Sequence, residues 1–186
     1  MTAVQQRDVV DLLQQQHEQI KSLFSQVKAA QGVQKRELFQ ELVRLLAVHE
    51  SAEELVVHPE ARQYAPGQII DARLHEEDEA KRVLAKLYDM GVDHPQFDST
   101  LESFAQSVIE HAEKEEHEEF PMLRQHLSAD RLRQMAGAVE AAEKIAPTRP
   151  HPRSGESSMA NLLAGPPMGV FDRVRDAVRD WRESRR

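Results

Sequence analysis

Histidine and glutamate recur in this chain at one fixed spacing. The repeated unit is a histidine, a glutamate four residues later, and a proline six residues after the glutamate. It occurs twice: His49, Glu53 and Pro59, then His111, Glu115 and Pro121. Imidazole and carboxylate are the groups with which proteins bind transition metal ions when sulfur is absent. The spacing therefore indicates a metal site to which both units contribute.

Each unit is preceded by one further histidine followed by glutamate. His17 stands 32 residues before His49, and His75 stands 36 residues before His111. The chain thus consists of two similar halves, each with a single histidine and then a His-x3-Glu unit. An internal repeat of this length is typical of a repeated structural element, in this case a pair of helices.

The elements that must position these residues are four long amphipathic stretches. They cover roughly Gln6–Ala30, Gln34–Val57, the segment from Pro66-Gly67 to Gly91, and Pro95–Pro121. Each is bounded by glycine or proline, which predicts helices that end at these residues, the second at Pro59 and the fourth at Pro121. A shorter stretch, Ser128–Ile145, predicts a fifth helix capped by Ser128 or Asp130.

In a helix, residues four apart lie on one face, one turn apart. Both His-x3-Glu units then fall inside an apolar stripe, and so does His17. The third stretch fits less well, because His75 lies at the edge of its stripe, with Glu76 and Glu79 nearer the centre. Buried ionisable groups are costly unless they are paired or bound to a metal. A single buried histidine needs no metal, but a repeated set on four helices favours one.

Composition narrows the classes of protein. The 186 residues carry a formal net charge of −8, which argues against nucleic-acid binding. No cysteine is present, so disulfides, thiolate zinc sites and iron–sulfur clusters are excluded. We find no signal-peptide core and no apolar run long enough for a transmembrane helix, and we expect a cytoplasmic protein.

The ligand types also limit the metal. Six or more nitrogen and oxygen ligands exceed the four of a structural zinc ion and suit two ions bridged by two carboxylates, with iron or manganese favoured. The sequence HESAE lacks the second histidine of the H-E-x-x-H zinc motif. The Glu-x-x-His spacing of ferritin-like di-iron bundles is absent as well.

The residues resemble the hemerythrin-like (HHE cation-binding) family. The resemblance covers roughly residues 8–145, and it is carried by four histidines and two glutamates in order: His17, His49, Glu53, His75, His111 and Glu115. It implies an all-α, up-down four-helix bundle that holds two non-haem iron ions joined by an oxo or hydroxo bridge.

The resemblance also implies a role for each ligand. Glu53 and Glu115 would bridge the two irons. One iron would be held by His17 and His49, and the other by the pair of histidines in the second half of the chain, His75 and His111.

The sequence departs from the oxygen-carrying members of this family. The carrier has a second histidine one turn after the third-helix histidine, where this chain has Glu79. We therefore include Glu79 among the expected metal ligands, with Glu76, Glu50 or solvent as alternatives. His58, just before the first proline, could support the cluster or be solvated.

Two functions of different classes follow. The first is a redox enzyme with catalase-like or peroxidase-like turnover, since fewer histidines than in the carrier leave room on iron for peroxide, oxygen or nitric oxide. The second is a module that binds or senses oxygen, nitric oxide or iron without turnover. A helical bundle that binds a partner without metal is the third alternative.

From Pro147 the composition changes. We predict a domain of residues 1–146 followed by an extension of residues 147–186, in which a Pro/Ser-rich linker precedes a short amphipathic helix, Val170–Trp181. This helix could be solvated, dock on the bundle, or form a homodimer contact. Its balanced charges argue against anchoring to anionic lipid.

Overall fold

The computed structural model describes residues 7–145 and positions 172, 175, 176, 179, 180 and 183. The elements of residues 7–145 are helical: α1 (Val9–Ala29), α2 (Gly32–Ala52), a first π-helical segment (Glu53–Val57), α3 (His58–Ala61), α4 (Gly67–Met90), α5 (Phe97–Lys114), a second π-helical segment (Glu115–Glu119), α6 (Phe120–His126) and α7 (Ala129–Ile145). The predicted all-α bundle with a short fifth helix is confirmed. The fifth helix is α7, because α2 and α3 follow one continuous helical path, as do α5 and α6.

Local signals define the helix ends. Asp8 and Asp11 form a capping box at the start of α1, in which each side chain accepts a hydrogen bond from the other residue's backbone N–H. Glycine with positive φ separates α1 from α2 at Gly32 (56°) and terminates α4 at Gly91 (77°), a backbone conformation that other residues adopt only with strain.

The predicted helix ends at the two prolines are wrong. The helical path of α2 continues through the first π-helical segment into α3, which contains Pro59, and the path of α5 continues through the second into α6, which contains Pro121. A proline ring in an α-helix collides with the carbonyl four residues earlier and donates no hydrogen bond. The wider π-turn before each proline relieves this conflict, so the helix continues instead of stopping.

The bundle interior has an apolar end and an ionisable end. Edge-to-face aromatic pairs fill the apolar end, with ring centroids 5.6 Å apart for Phe24 and Phe104 and 5.1 Å apart for Phe39 and Phe97. Buried leucine and valine side chains extend this packing along the helices. The other end, next to the two π-helical segments, contains the histidines and glutamates of the repeat.

Helix α7 packs against α1 and α2 and contributes Met135 and Val139 to the core. Within the described residues, no helix is long and apolar enough to cross a membrane. The expected domain boundary at 147 and the linker after it lie outside the described residues, as do most positions of the expected helix Val170–Trp181. One described position of that segment, Arg175, pairs with Glu54 on the first π-helical segment at 2.5 Å.

Candidate metal centre

Three histidines, two of them buried and His111 half-buried, are oriented by partners on their outer nitrogen. The Nδ1 atom of His17 lies 2.7 Å from Glu116, that of His49 lies 3.0 Å from the side-chain oxygen of Gln16, and that of His111 lies 2.9 Å from Glu76. Each partner offers an acceptor oxygen, so Nδ1–H donates, and a neutral ring keeps its lone pair on Nε2. A histidine held in this way presents Nε2 as a metal ligand.

The Nε2 atoms of these histidines converge on one space. Those of His17 and His49 are 3.1 Å apart, although both carry lone pairs in this arrangement. Two imidazole nitrogens about 2.1 Å from a common ion and at right angles would be about 3.0 Å apart. The separation therefore fits a pair of ligands on one cation. The ring of Phe120 stacks on His17 at 5.7 Å and fixes its plane.

Glu53 and Glu115 occupy the centre of this space and are fully buried. The carboxylate of Glu53 is 3.2 Å from Nε2 of His49, and that of Glu115 is 3.4 Å from Nε2 of His17 and 3.1 Å from Nε2 of His111. Among the described residues, all four of these carboxylate oxygens lack a hydrogen-bond partner, as does Nε2 of His111. Buried orphaned acceptors of this kind are the chemistry that a cation satisfies.

The structure differs from the sequence-based expectation on the third long helix, α4. His75 and Glu79 have side chains 70% and 61% exposed, and they pair with each other at 3.5 Å on the surface. Glu77, only 1% exposed, instead faces the cluster from α4. The structure thus brings His17, His49, Glu53, His111 and Glu115 together and leaves the two α4 residues outside.

The position of Glu77 follows from the true register of α4. Glu77 lies seven residues after Ile70 and seven before Leu84, both buried, so all three share one face of the helix. His75 is two residues away and therefore points to a different side. The heptad of Ile70, Glu77 and Leu84 was visible in the sequence. The prediction instead followed Ile69, Ala72 and Val83, each of which lies one residue before a buried position.

His58 and Glu119 extend the buried cluster. Nδ1 of His58 is 2.9 Å from Glu119 and Nε2 is 2.5 Å from Glu77, and all three side chains are buried. The sequence left His58 open between support of the cluster and solvation, and Glu119 was not among the expected ligands. The i+4 spacing from Glu115 to Glu119 was the signal that placed the latter inside.

The remaining histidines and alternative ligands have other positions. His94, His117 and His126 are exposed, and His151 lies outside the described residues. Glu76 supports His111 from outside the cluster and also pairs with Lys114 at 2.5 Å. The other alternative residue, Glu50, is buried, and one of its oxygens has no hydrogen-bond partner among the described residues.

Burial and mutual repulsion govern the charge of the metal-free cluster. Burial raises the pKa of Glu53 well above its usual value, and the neighbouring carboxylates, first Glu115, raise it further. Burial and the charge of Glu77 raise the pKa of Glu50 in the same way. Burial opposes ionisation of Glu115 too, but His111 and His17 outweigh it and lower its pKa well below the usual value.

The histidines divide into two kinds. Burial and the proximity of His17 lower the pKa of His49, so it stays neutral. Burial also opposes the charging of His58, but hydrogen bonds to Glu119 and Glu77 raise its pKa to about 10. Glu115 and Glu76 likewise raise the pKa of His111 to about 10 against the effect of burial. Without metal, imidazolium therefore supplies the positive charge that the carboxylates require.

Two overlapping groups of four ligand residues could each hold a cation, and a smaller group of His58, Glu115 and Glu119 lies beside them. The first is His17, His49, Glu53 and Glu115, and the second is Glu53, Glu77, His111 and Glu115. Within each group the ligand atoms lie within 4.8 Å of one another. We call the six residues of the two larger groups the central cluster. Because two carboxylates belong to both groups, the arrangement suits two neighbouring ions bridged by glutamate.

Comparisons with known proteins agree with this architecture. The family described as the hemerythrin HHE cation binding domain matches residues 8–123. An uncharacterised hemerythrin-like protein of Schizosaccharomyces pombe is 27% identical over 177 residues, covering 93% of this chain and 87% of that protein. A DNA nickase of Nostoc is 26% identical over 140 residues, which are 75% of this chain and 40% of the nickase.

A solved structure shows the same fold. The crystal structure of a hemerythrin HHE cation binding domain-containing protein from Mycobacterium kansasii superposes with a TM-score of 0.71. The match covers 89% of this chain and 98% of that one, at 18% sequence identity. The same bundle fold is therefore known in a protein that contains a cation-binding domain.

Proposed function

The chain belongs to the hemerythrin HHE cation-binding family, and from that premise we propose that its central cluster binds two iron ions and turns over peroxide. One ion would be held by His17 and His49, and the other by Glu77 and His111. Glu53 and Glu115 would bridge them. The observation that carries the proposal is the pair of overlapping ligand groups that share these two buried glutamates.

The donor set supports iron in its ferric state. Six ligands, three imidazoles and three carboxylates, contain no sulfur and exceed the needs of a structural zinc ion. A carboxylate is harder and more anionic than imidazole, so Glu77 favours the ferric over the ferrous state. Reversible oxygen carriage starts from ferrous iron, and the carboxylate on α4 therefore favours peroxide chemistry over carriage.

When bound, iron would supply the redox chemistry. The chain supplies orientation, through the outer hydrogen bonds that hold His17, His49 and His111. It also holds Glu77 in place, because His58 anchors one of that residue's carboxylate oxygens. A cavity that reaches His111 and Glu77 gives a small molecule access to the cluster.

The test combines metal content with turnover. We expect the iron-loaded chain to release oxygen from hydrogen peroxide, and we expect Glu53→Gln to lose both the iron and the activity. The exposed Glu113→Gln is the matched control and should leave both unchanged. Stable iron binding with no consumption of peroxide, together with an oxygen or nitric oxide adduct that disappears on purging, would instead favour a binding or sensing module.

The nicking activity named for the Nostoc relative is not part of this proposal. The chain spans only 40% of that protein's length. The formal net charge of this chain, −8, disfavours contact with a phosphate backbone.

A further inference from the structure

A groove of about 850 Å³ leads away from the central cluster between α4 and α5. At one end its walls include Glu77 and His111, and at the other they include Lys86 and Ser99. The two helices run antiparallel, since the chain reverses between them. His111 lies twelve residues after Ser99 on α5, and Lys86 lies nine residues after Glu77 on α4, so the groove is about 13 to 18 Å long at 1.5 Å per residue.

The volume of the groove is far larger than the small molecules proposed for the cluster require. Water occupies about 30 Å³ in the liquid, and hydrogen peroxide about one third more. The groove is therefore more than ten times the size of peroxide, oxygen or nitric oxide. Its volume falls in the range of about 300 to 1,000 Å³ that is typical of pockets for organic ligands.

The middle of the groove is apolar. Its walls there are Ile20, Leu46, Val83, Phe104 and Val108. Small side chains, Ala80, Ser103 and Ser107, stand where α4 and α5 face the groove and leave it open. Walls of this kind suit a hydrocarbon chain, which gains free energy from leaving water and needs no polar partner.

Charge is distributed unevenly along the groove. The acidic rim residues Glu76 and Glu110 lie at the level of His111, at the end next to the cluster. The basic rim residues Arg82 and Lys86 lie farther along α4, with Lys86 nine residues, or about 13 Å, beyond Glu77. Two further cations that line the groove are paired with carboxylates: Lys21 with the exposed Glu18 at 3.0 Å, and Lys114, at the cluster end, with Glu76 at 2.5 Å. An anionic group would therefore be attracted to the end remote from the cluster.

We propose that this groove binds a linear aliphatic carboxylate, with its carboxylate beside Arg82 and Lys86 and its hydrocarbon tail directed toward the central cluster. A C–C bond of 1.52 Å advances an extended chain by about 1.3 Å per carbon, so 13 to 18 Å holds about 10 to 14 carbons. This ligand site goes beyond the proposed peroxide chemistry. Binding depends on the groove and not on iron.

The experiment measures binding to the full chain by calorimetry, with and without iron. We expect tetradecanoate to bind, and the affinity to rise with chain length and level off between about 10 and 14 carbons. Tetradecanol, which lacks the charge, should bind about tenfold more weakly, the equivalent of about 1.4 kcal/mol. Tetradecyltrimethylammonium, which carries the opposite charge, should be weaker still.

Two groove variants and two controls make the test specific. Ser107→Phe should fill the groove and abolish binding, and Lys86→Glu should weaken tetradecanoate but not tetradecanol. The exposed residues Ser25 and Lys28 lie away from the groove walls, so Ser25→Phe and Lys28→Glu should have no effect. Absence of tetradecanoate binding, or equal binding by Lys86→Glu and wild type, would overturn the proposal. Iron content, measured on the same samples, separates this outcome from a failure of the metal proposal.

Discussion

A carboxylate oxygen of Glu53 lies within 4.8 Å of one of Glu115, and each of these glutamates is the first residue of a π-helical segment. Each also accepts a backbone hydrogen bond from the residue five positions later, at Glu53 from His58 and at Glu115 from Phe120. π-Turns inside α-helices are often found at functional sites. In this chain the same repeated unit supplies the central carboxylate and the proline that favours the turn.

Replacing the central glutamate tests its bridging role. Glu53→Gln removes a charge while keeping the side-chain volume, and we expect bound iron to fall from two ions per chain to fewer than one, because both ligand groups lose a carboxylate. Metal analysis after gel filtration measures this. Retention of two ions with an unchanged absorption spectrum would show that Glu53 does not bridge.

The ligand on α4 distinguishes the structure from the sequence-based expectation. We expect Glu77→Ala to reduce iron binding at least tenfold, because it removes the buried carboxylate of the second ligand group. His75→Ala and Glu79→Ala should bind iron like the wild type, since both side chains are exposed. Iron titration of the three variants decides whether α4 contributes Glu77 or the pair His75 and Glu79. Loss of iron from His75→Ala but not from Glu77→Ala would restore the sequence-based assignment of His75.

The metal-free chain should lose stability in mild alkali. The pKa values of His58 and His111 are raised from 6.5 to about 10 by their carboxylate partners. Their stabilisation is fully present below pH 6.5 and is lost as the pH rises toward 10. We expect the free energy of unfolding to fall across this range by several kcal/mol, up to about 9 kcal/mol if both histidines lose their full stabilisation. Urea unfolding in the presence of a chelator measures it.

A variant isolates the contribution of one histidine. His58→Gln should flatten the decline between neutral pH and pH 10, whereas the exposed His94→Gln should leave it unchanged. If the stability of the wild type rises with pH over this interval, the assignment of imidazolium to the metal-free cluster is incorrect.

Metal should stabilise the fold. Binding to the native state alone adds about 2.7 kcal/mol at a free metal concentration one hundred times Kd. For a chain of this size that raises the melting temperature by roughly 5 to 10 °C. Calorimetry of the iron-loaded and chelated chain provides the comparison. Equal melting temperatures would place the cluster in a solvated cleft instead of a core.

The sequence predicts much of the fold because helical periodicity and breakers act locally. The residue of α4 that faces the cluster was harder to identify from the sequence than the helices themselves. Along that helix acidic residues occur at the four consecutive positions 76 to 79, so the polar pattern alone does not show which one is buried. Packing of Ile70 and Leu84 against the other helices decides it. The π-turns before Pro59 and Pro121 were missed for a related reason, since proline alone more often predicts a helix end.

The account rests on two metal ions bridged within one buried cluster. Diffraction from crystals of the iron-loaded chain, recorded on both sides of the iron absorption edge, locates such ions directly. We predict two anomalous peaks, one beside His17 and His49 and the other beside Glu77 and His111, with Glu53 and Glu115 contacting both. A single peak, or peaks at the exposed His75 and Glu79, would contradict it.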